Sequence, residues 1–282
     1  NIANSAKISS HTVAMATLNN GFSLYNTNGA KLYHLTKNSG LQNNSVLSLF
    51  NDKNNNIWLG LADGISFIAS GNAIKHINPP LFDNAAGHTS MIFNNHLYVG
   101  LSNGVNLLAL SGIKDISLTK GDFKPVSNAL GQAWGMNIVD DKLLLGRHEG
   151  AFEVKKDKLI PIVQAMGYWN FLSFRNSTQK PLVLAGNYNG ISIFDYQNQR
   201  FNAIGNIESF GESARFLLTK GNEIWVSHPY HVVYKIEKTI DGKYTTKQYQ
   251  KKEGLPALLN NHIYKIKNRI MTCVFIMSGY KC

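Results

Sequence analysis

Gly40-Leu-Gln-Asn-Asn-Ser-Val-Leu-Ser-Leu-Phe-Asn-Asp-Lys-Asn-Asn-Asn-Ile-Trp-Leu-Gly-Leu-Ala-Asp-Gly-Ile-Ser-Phe-Ile68 holds three short apolar bursts, Val46–Phe50, Ile57–Leu59 and Ile65–Ile68. Asn51–Asn56 separates the first two, and such side chains cap their own turns and tolerate left-handed backbone. Ala62-Asp63-Gly64 separates the last two, where glycine supplies positive φ without a steric penalty. Short bursts rich in β-branched and aromatic residues, split by such turns, read as consecutive antiparallel strands.

The unit repeats. Gly60-x-x-x-Gly64, with an apolar strand on each side, returns as Gly100–Gly104, Gly146–Gly150 and Gly186–Gly190. Thr17–Gly21 is a weaker copy and Ser227–His231 a degenerate one. The first positions, 17, 60, 100, 146, 186 and 227, lie 40 to 46 residues apart. That period, with about four short strands per unit, predicts an all-β propeller of four-stranded antiparallel blades. Strand A of each blade is expected at Val46–Phe50, Ser90–Phe93, Gly135–Val139, Phe171–Phe174, Arg215–Leu218 and Ile263–Ile266, with a faint one over Ile2–Ile8. Strand D is expected at Lys31–Leu35, Ala73–Ile77, Lys158–Ile162 and Tyr244–Tyr249.

The units divide the chain at 1–39, 40–80, 81–125, 126–163, 164–207, 208–254 and 255–282, read as one propeller domain of about seven blades. The last unit offers A and B strands and part of C, but no D. A propeller closes its ring to hide its edges, so the expectation is a piece of a longer protein.

At 282 residues and 44% hydrophobic, the chain can bury a full core. No run approaches the roughly 18 apolar residues of a membrane span. The chain starts at Asn1 without Met, a charged n-region or an apolar h-region, so any signal peptide has been removed. Cys273 and Cys282 are the only cysteines, which excludes a disulfide framework as the basis of the fold. The net charge of +11 gathers toward the end, from Lys235 to Lys281. These lysines are scattered among strands rather than grouped on one helix, and no nucleic-acid module accompanies them. They read as a solvated basic face, with no nucleic acid bound by this domain.

The opening stretch resembles the two-component regulator propeller repeat: Gly-Leu, Asn, a Val-led strand, Asp, a turn, Ile-Trp-Ile-Gly and a closing Gly-Ile. Asn94–Gly100 and Gly221–Ser227 echo it, and Gly254–His262 resembles the head of a further repeat. The resemblance implies the periplasmic sensor region of a bacterial hybrid two-component or related one-component regulator. It implies tethering to the inner membrane through regions outside this chain, a kinase or DNA-binding output domain elsewhere, and in many members the sensing of glycan breakdown products.

Blade geometry narrows the search for a ligand. With strand A running from the top of the ring downward, the B–C and D–A connections share the top face. The residues before each strand A then ring the mouth: Asn43 and Asn44, His88 and Thr89, Gln132 and Trp134, Tyr168 and Trp169, Glu212 and Arg215, Asn261 and His262. The B–C loops add Asp63, Asn103, Arg147, His148, Glu149, Asn187, Tyr188, His228 and Tyr230. Trp134, Tyr168, Trp169 and Tyr188 offer flat faces suited to sugar rings, and Arg147 or Arg215 can hold a carboxylate bidentately. The expected ligand site is therefore Trp134, Tyr168, Trp169, Arg147, His148, Tyr188, Arg215, His228, Tyr230 and Asn44, for a small molecule or glycan. The competing reading is that Trp134 and Trp169 pack between blades, as expected of Trp58 and Trp225.

Other chemistries have weaker support. Asp52-x-Asn54-x-Asn56 starts like a calcium loop, but Ile57 stands where glycine is needed and no Glu follows. His228 and His231 lack identifiable partner ligands. No nucleophile elbow or phosphate loop occurs, and no carboxylate pair stands out. No enzyme activity, cofactor or metal is expected. Asn43-Asn44-Ser45 and Asn176-Ser177-Thr178 match the glycosylation acceptor pattern, which means little for a bacterial protein. The alternatives to a sensor are a structural or dimerisation propeller, hence a homodimer, and a propeller lyase or hydrolase.

Overall fold

The computed structural model describes residues 1–69, 82, 84–111, 123–175, 181–267, 269–276 and 279–281. The expected strand Ala73–Ile77, the Asn176–Thr178 acceptor pattern and Cys282 lie outside them. The described residues form seven antiparallel meander sheets, and the fold is a β-propeller.

The first sheet joins β1 (Ile2–Ser9), β2 (Thr12–Thr17), β3 (Phe22–Asn26) and β4 (Lys31–Leu35). The second joins β5 (Val46–Asn51), β6 (Ile57–Leu61) and β7 (Gly64–Ile68). The third holds β8 (Gly87–Phe93), β9 (His96–Leu101), β10 (Gly104–Ala109) and β11 (Lys124–Pro125). The fourth holds β12 (Ala133–Val139), β13 (Lys142–Arg147), β14 (Gly150–Lys155) and β15 (Lys158–Val163). The fifth holds β16 (Tyr168–Arg175), β17 (Pro181–Asn187), β18 (Gly190–Gln197) and β19 (Arg200–Asn206). The sixth holds β20 (Phe216–Lys220), β21 (Glu223–Ser227), β22 (Val233–Lys238) and β23 (Tyr244–Tyr249). The seventh holds β24 (Asn261–Ile266), β25 (Arg269–Ile276) and β26 (Gly279–Lys281).

The chain clusters into two compact units. In one, 1–84 with 110–123, the first two sheets share a core of Ala14, Phe22, Val46, Ile57 and Leu59. The Asn-rich turn between β5 and β6 closes on Asp52. Its carboxylate accepts from the Asn54 and Asn56 backbone N–H (2.9 Å each), Asn56 Nδ2 (3.1 Å) and Trp58 Nε1 (3.2 Å). Trp58 corrects the expectation of inter-blade packing. Alternation along β6 buries Ile57 and Leu59 and turns Trp58 to the other face, where it is 42% exposed and lies 4.6 Å from Phe67.

The other unit, 85–109 with 124–282, carries the remaining five sheets. Their first strands contact one another in sequence: β8 with β12, β12 with β16, β16 with β20, and β20 with β24. Apolar layers fill the space between successive sheets. Tyr98, Leu143 and Leu145 lie in the first layer, Phe171, Phe194 and Leu144 in the next, and Leu184, Ile224 and Ile236 in the third. Burying each such side chain is worth roughly 1.5–3 kcal/mol. Trp225 packs as expected, against the last layer with Ile263.

The Gly-x-x-x-Gly motif is a hairpin. Leu101 pairs with Gly104 and Arg147 with Gly150, leaving two-residue B–C loops. Gly104 and Gly150 adopt φ of 155° and 153°, backbone that a side chain rarely tolerates.

Candidate ligand-binding site

In the unit of 85–109 with 124–282, three of the first strands begin with the irregularity that β1 and β5 also show. Pairing shifts register between Gly87 and Thr89, between Ala133 and Gly135, and between Tyr168 and Asn170. Each shift leaves one extra residue on the inner strand, and these residues are His88, Trp134 and Trp169. A β-bulge of this kind re-aims a side chain at the end of a strand. In the sixth sheet Phe216 pairs with Ser227 as Asn170 pairs with Gly186. Arg215, just before Phe216, therefore holds the place that Trp169 holds in the sheet before.

The four residues form a row. The His88 ring is 5.2 Å from Trp134, Trp134 is 4.8 Å from Trp169, and the Arg215 guanidinium carbon is 5.0 Å from the Trp169 ring centroid. Two glycines permit this spacing. A Cβ on Gly135 would run into the Trp169 carbonyl oxygen, and one on Gly146 into that of Tyr168. Any larger residue would push β16 away from β12 and β13 and separate the indoles.

Hydrogen bonds stitch the same strands together. Met136 N donates to Thr89 Oγ1 (3.1 Å), Phe171 N to Asn137 Oδ1 (2.9 Å) and Asn170 Nδ2 to the Arg215 carbonyl (2.7 Å). Trp134 Nε1 donates to the Tyr188 hydroxyl (2.7 Å), which lies 2.9 Å from His148 Nδ1. Trp169 Nε1 donates to Ser213 Oγ (2.9 Å). Both indole N–H groups are thus occupied by the protein, and what the row offers a ligand is the ring faces.

A cavity of about 290 Å³ opens along this row, lined by His88, Thr89, Trp134, Gly135, Met136, Asn137, Trp169, Asn170, Arg215 and Phe216. No Asp, Glu or Lys lines it. Beside it His228 is buried, with a pKa pushed down to about 4 by burial, then by His231 and Arg215. Its Nδ1 accepts the Tyr230 backbone N–H (3.2 Å), which leaves the proton of the neutral ring on Nε2. Burial also lowers the pKa of His262 and raises that of the Tyr188 phenol. The wall is aromatic and amide-rich, with one standing positive charge at Arg215.

Residues 40–63 match a family model described as two component regulator propeller. The match covers one repeat of the chain. The chain's fold is similar to the extracellular domain of a protein described as the hybrid two component system BT3049 of B. thetaiotaomicron, at 16% identity and a TM-score of 0.65, covering 97% of this chain and 38% of that one. It is also similar to the extracellular domain of the corresponding BT4673 protein, at 13% identity and a TM-score of 0.51, covering 96% of this chain and 36% of that one. The chain therefore spans well under half the length of the solved domains it matches. No curated protein matches the sequence.

The residues expected at the mouth fall into three groups. Trp134, Trp169 and Arg215 line the cavity, with His88 and Thr89 as expected neighbours. Tyr188, His148 and His228 stand just behind, in ring contact with the row or with one another. Tyr230 reaches outward from His228 and is 71% exposed.

Three expected residues are placed otherwise. Tyr168 is buried in the layer with Phe171 and Phe194, and its hydroxyl lies 3.0 Å from Ser192 Oγ. The bulge sends Trp169 to one side of the strand and leaves Tyr168 on the other. Arg147 is also buried, donating to the carbonyls of Asn128 (3.1 Å) and Leu130 and pairing with Glu149 (2.9 Å), so its guanidinium is a loop clamp. Asn44 belongs to the other unit, where its Oδ1 accepts from Lys37 N (2.6 Å) and its carbonyl from Gly21 N (2.8 Å).

Sequence reasoning missed Asn170 because the expected strand began one residue later, at Phe171, and missed Asn137 and Phe216 because it read them as plain strand residues. The usable signal was the paired Trp-x and Trp-Asn steps at the strand heads, where an odd residue breaks the alternation. Among the described residues no three His, Cys, Asp or Glu side chains converge as metal ligands. Among them, too, no helix is long and apolar enough to cross a membrane.

Proposed function

We propose that this chain is the extracytoplasmic, periplasmic sensor part of a signal-transduction receptor. It binds a small molecule or oligosaccharide at the row of His88, Trp134, Trp169 and Arg215. The signal passes to a kinase or DNA-binding output domain outside this chain. The observation that carries the reading is the cavity itself: two indole rings, tilted 47° to each other with centroids 4.8 Å apart, line one wall with the Asn137 and Asn170 amides. Flat apolar faces flanked by a few oriented polar groups suit a saccharide ring. The residues lining the cavity include no carboxylate, so the wall offers binding groups rather than the acid–base pair a glycosidase needs. The similarity to extracellular domains described as parts of two component systems agrees with this reading at the level of fold.

A thermal-shift screen against a panel of neutral and acidic oligosaccharides tests it. A ligand held at about 100 times its Kd stabilises the native state by about 2.7 kcal/mol, a readily measured rise in Tm. We expect at least one panel member to do this for the native chain and none for the Trp134→Ala, Trp169→Ala double variant. No stabilisation by any member, or stabilisation that survives in the double variant, contradicts the reading.

A further inference from the structure

We propose that Arg215 makes this cavity an acid-selective subsite, taking the carboxylate of a saccharide ring that lies against Trp134 and Trp169. The inference rests on the binding reading above and adds the charge of the ligand to it.

Three observations carry the assignment. The first is that the Arg215 guanidinium has no hydrogen-bond or ion-pair partner among the described residues, whereas comparable cations are committed. Lys235 sits between Glu223 (2.7 Å) and Glu237 (2.9 Å), and Arg147 on Glu149 (2.9 Å). The nearest acidic side chain in sequence, Glu212, instead lies 3.7 Å from His231 Nδ1.

The second is its pose. The guanidinium carbon is 5.0 Å from the Trp169 centroid and 5.9 Å from that of Phe216. Ring faces hold the plane of an arginine and leave its edge of N–H donors unused. That edge matches the two coplanar oxygens of a carboxylate, which it binds through paired charge-assisted hydrogen bonds.

The third is the wall. Among the lining residues Arg215 is the one Arg or Lys, and no acidic group lies there to cancel it. Half-buried beside buried His228, it carries charge in a region where an unpaired ion is costly. A neutral ligand would leave that charge uncompensated, and a carboxylate satisfies it. The volume of about 290 Å³ lies at the small end of ligand cavities, suited to one ring of a chain.

The test is calorimetric titration of the native chain with uronic acid oligosaccharides and, in parallel, with the methyl esters of the same oligosaccharides, which keep ring and hydroxyls and lose the charge. Neutral oligosaccharides without a uronate complete the set. We expect the acids to bind tighter than their esters by roughly tenfold or more, as charge-assisted bonds warrant. Arg215→Met should erase that preference and Arg215→Lys retain part of it, with Tm unchanged in both. Raising the salt should weaken the acids alone, a measurement on the native chain that needs no variant. Equal binding of acid and ester, binding of the neutral set alone, or a preference that survives Arg215→Met overturns the acid-selective subsite and leaves the binding reading standing. Absence of binding across the whole set contradicts both.

Discussion

The guanidinium carbon of Arg215 lies over the Trp169 ring, 5.0 Å from its centroid, at the position in its sheet that Trp169 occupies in the preceding one. Four successive sheets thus present His88, Trp134, Trp169 and Arg215 from one structural place. The scaffold repeats, and the chemistry does not. Each of these sheets supplies the same inner strand, while the residue at the head of that strand sets what that sector of the cavity offers.

The spacing of that row depends on glycine. We expect Gly146→Ala to destabilise the chain by about 2 kcal/mol or more, since backbone rather than a movable side chain blocks its Cβ. Gly211→Ala, where nothing lies within 4 Å of the added atom, should leave stability within about 0.5 kcal/mol. Urea denaturation of both variants, read at equal m-value, checks the contrast. Equal effects would contradict the close-approach account.

Arg147 is expected to act on stability and not on ligand affinity. Replacing it with Met leaves the Asn128 and Leu130 carbonyls and the Glu149 carboxylate without their donor, at about 1–3 kcal/mol. Ligand affinity of the folded variant should match the native value. A selective loss of affinity with unchanged Tm would return Arg147 to the binding wall.

Trp134→Phe keeps the ring face and removes the N–H that the Tyr188 hydroxyl accepts. The loss of one such bond should lower stability by about 1 kcal/mol and change affinity less than Trp134→Ala does. Comparing the three proteins by denaturation and by titration separates the anchor from the shelf.

The pH dependence follows from His228. Its folded pKa of about 4 lies below the ordinary value of 6.5, so between those limits the unfolded chain binds the extra proton. The stability linked to this ring is complete above about 6.5 and is lost as pH falls toward 4. His262, lowered in the same direction, adds to the slope. After allowance for partial solvent access, the His228 share is on the order of 1–2 kcal/mol. His228→Asn should flatten the stability profile over that window, and a profile of unchanged slope would contradict the assignment.

The period of the Gly-x-x-x-Gly hairpins, the Asn-rich turn at Asp52 and the apolar bursts were enough to read the propeller from sequence. They are local features, and each has its own turn chemistry. The heads of the inner strands were less legible. Strand starts expected at Ser90, Gly135 and Phe171 begin at Gly87, Ala133 and Tyr168, because a bulge interrupts the alternation on which such readings rest. The same interruption decides that Trp169 lines the cavity and its neighbour Tyr168 does not. Burial of Arg147 was equally hidden, since the carbonyls that hold it come from a loop at 128–130. The outward turn of Trp58, by contrast, was available from simple period-two alternation between Ile57 and Leu59.

The indole signals of the four tryptophans in a nitrogen-15 correlation spectrum offer a direct reading of where a ligand sits. Titration with the stabilising oligosaccharide should shift the Nε1–H signals of Trp134 and Trp169 together and leave those of Trp58 and Trp225 in place. Shifts confined to Trp58 or Trp225, or none at saturating ligand, would contradict a binding site built on the bulged row.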